Sequence, residues 1–199
     1  MLDEQDQLAA IHGLREGRRE AWTTLYDRYS ADVWRYACRL MGPDAAAVAD
    51  VVQETFLAAA QSAKQFDPSR GTLWSWLSGI THHRVAWHWR QTQRESRVRA
   101  LAEAGADEIR AWLERTEPLD EVWERADLAD LVRRVLAELP AEYAALLTGK
   151  YLDNRSLAEL SQQWGSSADA IKSKLARARR QFRSTFEELT RKPTPTGRP

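Results

Sequence analysis

Residues 156–183 read SLAELSQQWGSSADAIKSKLARARRQFR and decide the fold of the second half of the chain. Ser156 and Glu159 have the spacing of a capping box, in which each side chain accepts a hydrogen bond from a free backbone amide at a helix start. Gly165 suits the left-handed backbone that ends this first helix. The apolar residues of a second helix recur every three or four positions: Ile171, Leu175, Ala178, Phe182, Phe186 and Leu189. A capped helix, a tight turn and a longer helix predict a helix-turn-helix.

The second helix of this motif has the chemistry of a DNA-reading helix. Ser166 or Ser167 can cap it, and its first turns would enter a major groove, so they need small, polar or basic side chains. The residues that meet this requirement are Ser167, Asp169, Lys172, Ser173, Lys174 and Arg177. Arg179, Arg180 and Arg183 lie further along and can reach phosphates. The alternative is an amphipathic helix with a basic solvent-exposed face, but capping, turn and charge together favour DNA binding.

Charge is segregated along the chain although the formal net charge is zero. Residues 70–99 carry six Arg against one Glu, residues 101–130 carry three Arg against ten acidic residues, and residues 172–192 carry eight basic residues against two Glu. The balances are +5, −7 and +6. Each basic segment can attract a polyanion, which the net charge alone hides. Solvated helix faces are the other explanation of any one such segment.

The rest of the sequence also predicts helices. In the first half, apolar side chains recur at helical spacing in three segments, separated by Gly42-Pro43 and by a turn at residues 67–71. Asp44 and Thr72 are placed to cap the second and third helices. Glycine is scarce, while Ala, Leu, Glu and Arg are abundant, which favours helix throughout. We therefore expect an all-α chain with two small helical domains, arranged as a first domain at 5–97, an acidic linker at 98–118, a second domain at 119–190 and a flexible tail at 191–199.

The stretch THHRVAWHWRQTQRE, residues 81–95, combines histidines, tryptophans and arginines. Metal-binding histidine pairs on a helix normally lie three or four positions apart, because those positions share a face. His82, His83 and His88 do not have this spacing, so a metal site, and a metal-dependent enzyme with it, is disfavoured. Aromatic rings beside cations are instead typical of single-stranded DNA binding. We expect Trp76 to pack inside and Trp87 or Trp89 to be available.

The single cysteine, Cys38, excludes an internal disulfide framework and any site that needs two Cys ligands from one chain. No apolar run approaches the roughly 20 residues of a membrane span. The N-terminus, MLDEQDQ, lacks the pattern of a signal peptide. These observations lead us to expect a soluble cytoplasmic protein without membrane insertion.

A compact patch is predicted on the second helix, away from its main apolar face. Asp50, Gln53, Glu54 and Leu57 are spaced so that they lie close together with one apolar side chain among them. From these residues alone, an exposed polar face is a more ordinary explanation than a partner-binding site. Acid–base chemistry is disfavoured, because nothing nearby would raise a carboxylate pKa or position a nucleophile.

The chain as a whole resembles the extracytoplasmic function (ECF) group of bacterial sigma factors. The resemblance covers nearly all of residues 22–186 except the linker. In the first half it is carried by LYDRYSADVWRYACRLMG, ADVVQETFLAA and FDPSRGTLWSWLSGI, and in the second half by LAELPAEYAALL and YLDNRSLAELSQQWGSSADAIKSKLARARRQFR. The resemblance implies a sigma region 2-like helical bundle at 5–97 and a sigma region 4-like helix-turn-helix domain at 119–190.

The same resemblance implies partners and roles. The first domain is expected to dock on a coiled coil of the largest subunits of core RNA polymerase, through Asp50, Gln53, Glu54, Phe56 and Leu57. It would also hold the opened −10 element of promoter DNA, and the residues expected there are Trp74, His83, Arg84, Trp87, Arg90 and Arg94. The second domain is expected to read the −35 element through the helix described above. No catalysis and no cofactor are implied, and relatives are commonly inhibited by an anti-sigma factor.

The sequence departs from the family pattern at two places. Relatives usually have Ala-Arg-Asn after Ile80 and an Asp four residues beyond the Asn, whereas Thr81-His82-His83 and Trp87 occupy these positions here. Gly149 also stands where the family prefers a helix former. A DNA-binding regulator that never engages polymerase is the alternative function, and the docking patch distinguishes the two.

Overall fold

The computed structural model describes the backbone of residues 11–103 and 125–190 and the side chains of residues 11–92 and 128–190. Within these ranges the protein is helical and contains no strand. Residues 11–15 are helical, and the α-helices that follow are α1 (Arg19–Met41), α2 (Ala45–Ser62), α3 (Leu73–Glu103), α4 (Arg125–Glu138), α5 (Ala141–Leu147), α6 (Leu157–Trp164) and α7 (Ala168–Thr190). Helices α1–α3 form the first domain, and helices α4–α7 form the second. The predicted all-α class with two helical units is confirmed.

Local sequence signals set the ends of the helices in the first domain. Gly42 ends α1 with φ = 89°, a conformation that favours glycine. Asp44 caps α2, because its carboxylate accepts hydrogen bonds from the amides of Ala46 and Ala47, both at 3.1 Å. Thr72 caps α3 by accepting from the Ser75 amide at 3.2 Å. Both predicted caps are therefore present.

The core of the first domain is built from one face of each helix. The side chains buried there come from α1 (Leu25, Val33, Ala37, Leu40), α2 (Val48, Val51, Val52, Ala59) and α3 (Leu73, Leu77, Val85). These positions follow the three- and four-residue spacing of the sequence. The polar side chain of Thr55 is also buried and donates to the Val51 carbonyl at 2.7 Å, so its hydroxyl is satisfied within its own helix.

The helix-turn-helix of the second domain has the predicted local chemistry. The Ser156 hydroxyl accepts from the Glu159 amide at 3.2 Å, and the Glu159 carboxylate accepts from the Ser156 amide at 2.7 Å, which completes a capping box. Gly165 adopts the left-handed conformation with φ = 57° and ends α6. Ser167 caps α7 by accepting from the Ala170 amide at 3.2 Å. These caps fix the angle at which α7 leaves the turn.

A π-helical segment at Thr148–Leu152 follows α5 directly. The sequence of residues 141–152 predicts one continuous helix opened by Pro140, whereas the structure changes from α to π geometry inside it. The Asp153 amide donates to the Thr148 carbonyl at 3.0 Å, which spans the five-residue step of a π-turn. A Cβ at Gly149 would lie 3.1 Å from Leu160 Cδ2. Glycine at this position thus lets the π-helical segment pack closely on α6.

The two domains pack against each other. The His82 Nε2–H group on α3 donates to the Leu136 carbonyl on α4 at 3.1 Å, and His82 is only 7% exposed. The Thr72 hydroxyl donates to the Gln163 carbonyl on α6 at 2.9 Å. The first-domain and second-domain cores form one continuous apolar cluster. Helix α3 supplies most of the first domain's side of this contact, with α1 beside it.

Helix α3 is longer than expected. It continues past the predicted domain boundary at residue 97 to Glu103, so the first residues of the predicted linker are helical. The remainder of that linker, from residue 104 to 118, and the predicted tail at 191–199 lie outside the described residues. Among the described helices, none combines the length and apolar character needed to cross a lipid bilayer.

Burial of His82 makes the stability of this packing sensitive to pH. Desolvation holds the pKa of His82 below its ordinary value of 6.5, with a smaller opposing effect from its hydrogen bond to Leu136. The neutral ring therefore contributes stability that is complete above the ordinary pKa and is lost as the pH falls through the lower folded pKa. We expect the free energy of unfolding, measured by urea denaturation between about pH 5 and pH 7.5, to decrease on acidification.

The matched variants for this prediction are His82→Gln and His83→Gln. The amide of Gln can donate to the Leu136 carbonyl but does not titrate, so His82→Gln should flatten this part of the pH dependence. His83 is exposed on the neighbouring position and only adds to the lowering of the His82 pKa, so its replacement should change the slope less than His82→Gln does. Equal slopes for the wild-type chain and His82→Gln would contradict the assignment of the titration to His82.

Candidate polymerase and promoter interfaces

The patch predicted on α2 is present at the protein surface. Asp50 and Gln53 are exposed, Leu57 is 55% exposed, and Phe56 is half-buried behind them. The Glu54 carboxylate lies 3.8 Å from the guanidinium of Arg84 on α3. Thus acidic, amide and apolar groups share one accessible face of the helix, and the ion pair joins this face to α3.

An apolar groove between α1 and α2 adjoins the patch, and the sequence analysis did not identify it. Its volume is about 730 Å³, and it contains exposed aromatic rings of α1, with Tyr26 51% and Trp34 40% exposed. The Tyr26 and Phe56 rings pack with centroids 4.9 Å apart. Tyr26 lies on the apolar stripe of α1, which made it indistinguishable from a core residue. Gln53 and Leu57 line the same groove, so patch and groove form one surface.

Helix α3 presents a stripe of accessible side chains with the expected character. His83, Trp87 and Arg90 are spaced four and three residues apart and are exposed, with Trp87 at 46%. Arg84 stands beside them and is partly exposed. An aromatic ring and cations therefore share one surface of the helix. Arg94, the next residue on this stripe, lies where no side chains are described.

Trp74 is not accessible in this arrangement of the domains, and its expected part in −10 binding stays a prediction. Trp74 is only 7% exposed, and its ring packs edge-on against Tyr36 with centroids 6.1 Å apart. It cannot stack on a base from this position. Trp76 is half-buried and packs on Phe66 at 5.0 Å, so it lies against the core, as expected. Trp89 is partly buried and donates to the Leu40 carbonyl at 3.2 Å, which leaves Trp87 as the accessible ring.

The three histidines of residues 81–95 point in different directions. His82 faces the second domain, His83 is exposed, and His88 is partly buried. Among the residues whose side chains are described, no group of three or more His, Cys, Asp or Glu side chains could hold a metal ion. The arrangement of the described residues therefore offers no support for a metal-dependent reaction at these histidines.

Helix α7 separates its core face from its predicted reading face. Ile171, Leu175 and Ala178 are buried against the second domain. The predicted reading residues that are exposed are Ser167, Asp169, Lys172, Ser173, Arg177, Arg180 and Arg183. Lys174 differs from them, because it is partly buried and its ammonium group is paired with the Glu142 carboxylate of α5. A group held in this way is less free to reach a base edge than its exposed neighbours.

Further contacts organise the exposed part of α7. Lys172 pairs with Asp169 at 3.2 Å on the surface, an arrangement that is weak and easily exchanged for another partner. Arg179 donates to the Tyr151 hydroxyl at 3.1 Å, which holds it along the π-helical segment. Arg180 and Arg183 project from the same side of α7 without such a contact among the described hydrogen bonds and ion pairs. The exposed face is thus basic and accessible.

Comparison with known proteins identifies both domains. Residues 25–95 match the family model of Sigma-70 region 2, and residues 129–182 match that of Sigma-70, region 4. The chain is 31% identical over 182 residues to the ECF RNA polymerase sigma factor SigL of Mycobacterium tuberculosis, covering 92% of this chain and 98% of the relative. The chain belongs to the ECF sigma factors. It is a sigma factor that binds RNA polymerase and directs transcription initiation at promoters, and the alternative of a regulator that never engages polymerase is not favoured.

Further proteins are similar to this chain. The ECF RNA polymerase sigma factor BldN of Streptomyces coelicolor is 30% identical over 179 residues, which cover 88% of this chain and 64% of the relative. Among solved structures, CnrH in complex with the cytosolic domain of CnrY is 21% identical, with a TM-score of 0.44 and coverage of 92% of this chain and 97% of that chain.

The different placements of Trp87 and Trp89 can be tested by stability measurements. Trp87→Ala should lower the free energy of unfolding by only about 1 kcal/mol, because about half of the side chain is already exposed and makes none of the described hydrogen bonds. Trp89→Ala should cost about 2 kcal/mol, because it removes a packed ring and leaves the Leu40 carbonyl without its donor. Thermal and urea unfolding of the two variants give the comparison. Equal losses would mean that the two rings are not placed as described.

Proposed function

We propose that the patch on α2 and the groove beside it form the polymerase-docking surface of this sigma factor. Asp50, Gln53 and Glu54 would make polar contacts, while Phe56 and Leu57 supply apolar ones. The proposal is supported by the accessibility of these groups on one helix face and by their continuity with the α1 aromatic rings. A polymerase helix carrying both basic and apolar residues would complement this surface.

The exposed stripe of α3 is proposed to hold the opened −10 strand. Trp87 would stack on an unpaired base, and Arg84, Arg90 and Arg94 would attract the backbone. Stacking of this kind offsets part of the cost of removing a base from the duplex, which is a few kcal/mol. His83 and Trp87 occupy the positions where the chain departs from its relatives, so this stripe is where a distinct −10 preference would arise.

Helix α7 is proposed to read the −35 element, and its exposed basic face carries this part of the proposal. The residues near its start, Ser167, Asp169, Lys172, Ser173 and Arg177, would contact bases in the major groove. Arg180 and Arg183 would contact phosphates, which add affinity without sequence preference. Lys174 would contribute only after it leaves Glu142. One chain then carries a polymerase surface and two DNA surfaces.

We propose no catalytic step and no cofactor for this chain, since its task is to supply binding energy that favours opened promoter DNA. It would act in the cytoplasm together with core polymerase. An anti-sigma partner is also proposed, since the sigma factor RpoE has been solved in complex with the anti-sigma factor NepR from Bartonella quintana, and BldN in complex with RsbN. Run-off transcription with core polymerase on genomic fragments tests the activity and reveals the promoter at once.

The docking assignment predicts the behaviour of the double variant Gln53→Ala with Glu54→Ala. Its binding to core polymerase, measured by co-purification, should fall by at least about tenfold. The reason is that removing one partner of a buried hydrogen bond or ion pair leaves the other partner buried and unpaired. The double variant Gln181→Ala with Glu188→Ala is the control, since both residues are exposed on α7 of the second domain and neither lines the groove. Unchanged co-purification of the Gln53/Glu54 variant would rule out this surface.

The −35 assignment predicts different effects for two basic residues of α7. Lys172→Ala should reduce the preference for the −35 element over random duplex, with a loss of about 1–3 kcal/mol of discrimination. Arg183→Ala should weaken binding to both duplexes alike and lower the slope of log affinity against log salt by about 1. Fluorescence anisotropy with both duplexes over a salt series measures these effects. If Lys172→Ala weakens binding to the −35 duplex and to random duplex equally, Lys172 does not read bases.

A further inference from the structure

The π-helical segment brings an exposed tyrosine next to α7. Thr148 and Gly149 are buried in this segment, whereas Tyr151 is 50% exposed. Turns of π-helix within helices are frequently found at functional sites. Neither the docking surface on α2 nor the reading residues of α7 include this segment, so the exposed ring of Tyr151 has no role in the function proposed above.

Arg179 connects this tyrosine to α7. Its guanidinium group donates to the Tyr151 hydroxyl oxygen at 3.1 Å, and both side chains are exposed. A guanidinium group has five N–H donors, so one such bond leaves several for a further acceptor. The Tyr151 hydroxyl acts as the acceptor here and donates in none of the described hydrogen bonds. A neutral O–H donor and a charged N–H donor therefore stand side by side at the surface.

The position of Arg179 around α7 places it on the flank that carries Lys172 and Arg183. At about 100° per residue, Arg179 lies about 20° from Lys172 and about 40° from Arg183 around the helix axis. Lys172 is at the end of α7 that enters the groove, whereas Arg179 is about two turns further along. A helix that enters a groove at its N-terminus meets the DNA backbone along its later turns. Arg179 and its tyrosine partner are thus placed for a phosphate.

A shallow groove beside Arg179 has the charge that a phosphate backbone requires. Its volume is about 410 Å³, and its wall includes the three arginines Arg179, Arg180 and Arg183. Ala176, Ser184 and Glu187 complete the wall, so three positive charges face one negative charge. A surface of this kind attracts a polyanion. Tyr151 is joined to it by the hydrogen bond from Arg179.

We propose that the Tyr151 hydroxyl and the Arg179 guanidinium group together bind one backbone phosphate of promoter DNA, so that the π-helical segment is part of the −35 interface. The proposal rests on the proposed function, because it takes α7 as the helix that enters the major groove. Arg179 supplies the charge and donates to a phosphate oxygen. Tyr151 donates its hydroxyl proton to the same phosphate and holds the guanidinium group in place. The contact adds affinity without sequence preference.

This role also gives a consequence to Gly149, where relatives prefer a helix former. A Cβ at this position would lie 3.1 Å from Leu160 Cδ2 of α6. A side chain there would displace either Leu160 or the π-helical segment. Tyr151 lies only two residues later, so a displaced segment would move its hydroxyl relative to Arg179.

The test is a double-mutant cycle in the full-length chain with Tyr151→Phe, Arg179→Ala and both together. Tyr151→Phe keeps the ring and removes only the hydroxyl. The control is Tyr29→Phe, which removes a hydroxyl from α1 of the first domain. Fluorescence anisotropy over a salt series measures binding to a duplex with the −35 region of a promoter found by run-off transcription, and to a random duplex. Thermal unfolding checks that each variant is folded.

Tyr151→Phe should weaken binding to both duplexes alike by about threefold, because it removes a hydrogen bond to a charged group at an exposed site. Arg179→Ala should weaken both further and lower the slope of log affinity against log salt by about 1. Tyr151→Phe should lower that slope by less, because tyrosine is uncharged. In the Arg179→Ala background its effect should be smaller than in the wild-type chain. Tyr29→Phe should leave all of these values unchanged.

Several results would overturn the shared phosphate contact. Equal effects of Tyr151→Phe in the two backgrounds would mean that Tyr151 and Arg179 act separately. Tighter binding by Tyr151→Phe would mean that the tyrosine holds Arg179 away from DNA. A loss confined to the −35 duplex would mean that Tyr151 reads bases. If the wild-type chain binds the two duplexes equally, the −35 assignment of α7 fails, whereas the effect of Tyr151→Phe on both duplexes still decides the phosphate contact.

Neutral phosphates give a second and direct measurement. Single methylphosphonate groups, which lack the phosphate charge, are placed in turn along both strands of the −35 duplex. One position should weaken binding by the wild-type chain several-fold, by Tyr151→Phe less, and by Arg179→Ala least. A merely structural role of Tyr151 would not make its effect depend on one phosphate. The absence of any such position would overturn the proposal.

Discussion

The long helix α3 must bury side chains against two different partners, and the arrangement of the other helices depends on this requirement. Leu73, Leu77 and Val85 face the first-domain bundle, whereas Trp74 and His82 face the second domain. A helix that is buried on two sides cannot have one apolar stripe and one polar face. Polar side chains are therefore buried in it: Ser78 and Thr81 donate to carbonyls of their own helix at 3.2 and 2.8 Å. These bonds allow the second domain to lie close to α3 without leaving the Ser78 and Thr81 hydroxyls unsatisfied.

Features controlled by neighbouring residues could be predicted from the sequence. The caps at Asp44 and Thr72, the capping box of Ser156 and Glu159, and the left-handed Gly165 depend on groups within a few positions, so their chemistry is visible in a short window of sequence. Features that depend on the second domain could not be predicted in this way. The sequence places Trp74 among several tryptophans of similar appearance, and only the approach of Ala145 and Thr148 determines that it is buried.

In the candidate sites too, properties of a single helix could be predicted from the sequence, whereas contacts between helices could not. The spacing of Asp50, Gln53 and Leu57 away from the α2 core face is a property of one helix, and their exposure followed from it. Tyr26 lies on the core stripe of α1, and it is nevertheless 51% exposed in the groove between α1 and α2. The pairing of Lys174 with Glu142 joins residues on two helices of the second domain, so periodicity along α7 alone could not separate Lys174 from its exposed neighbours.

The π-helical segment at Thr148–Leu152 changes the rotation of the following residues about the helix axis. One additional residue within a helix rotates everything after it by about 100° relative to a continuous α-helix. The residues that follow include Asp153 and Arg155, which reach α1, and then the start of α6 with its turn. Gly149 permits this geometry, because the absence of a Cβ allows the Leu160 side chain of α6 to lie against the π-helical segment. The register of a single turn therefore sets the direction in which the helix-turn-helix faces, and a one-residue deletion there would reorient it as a unit without changing any residue of the motif itself.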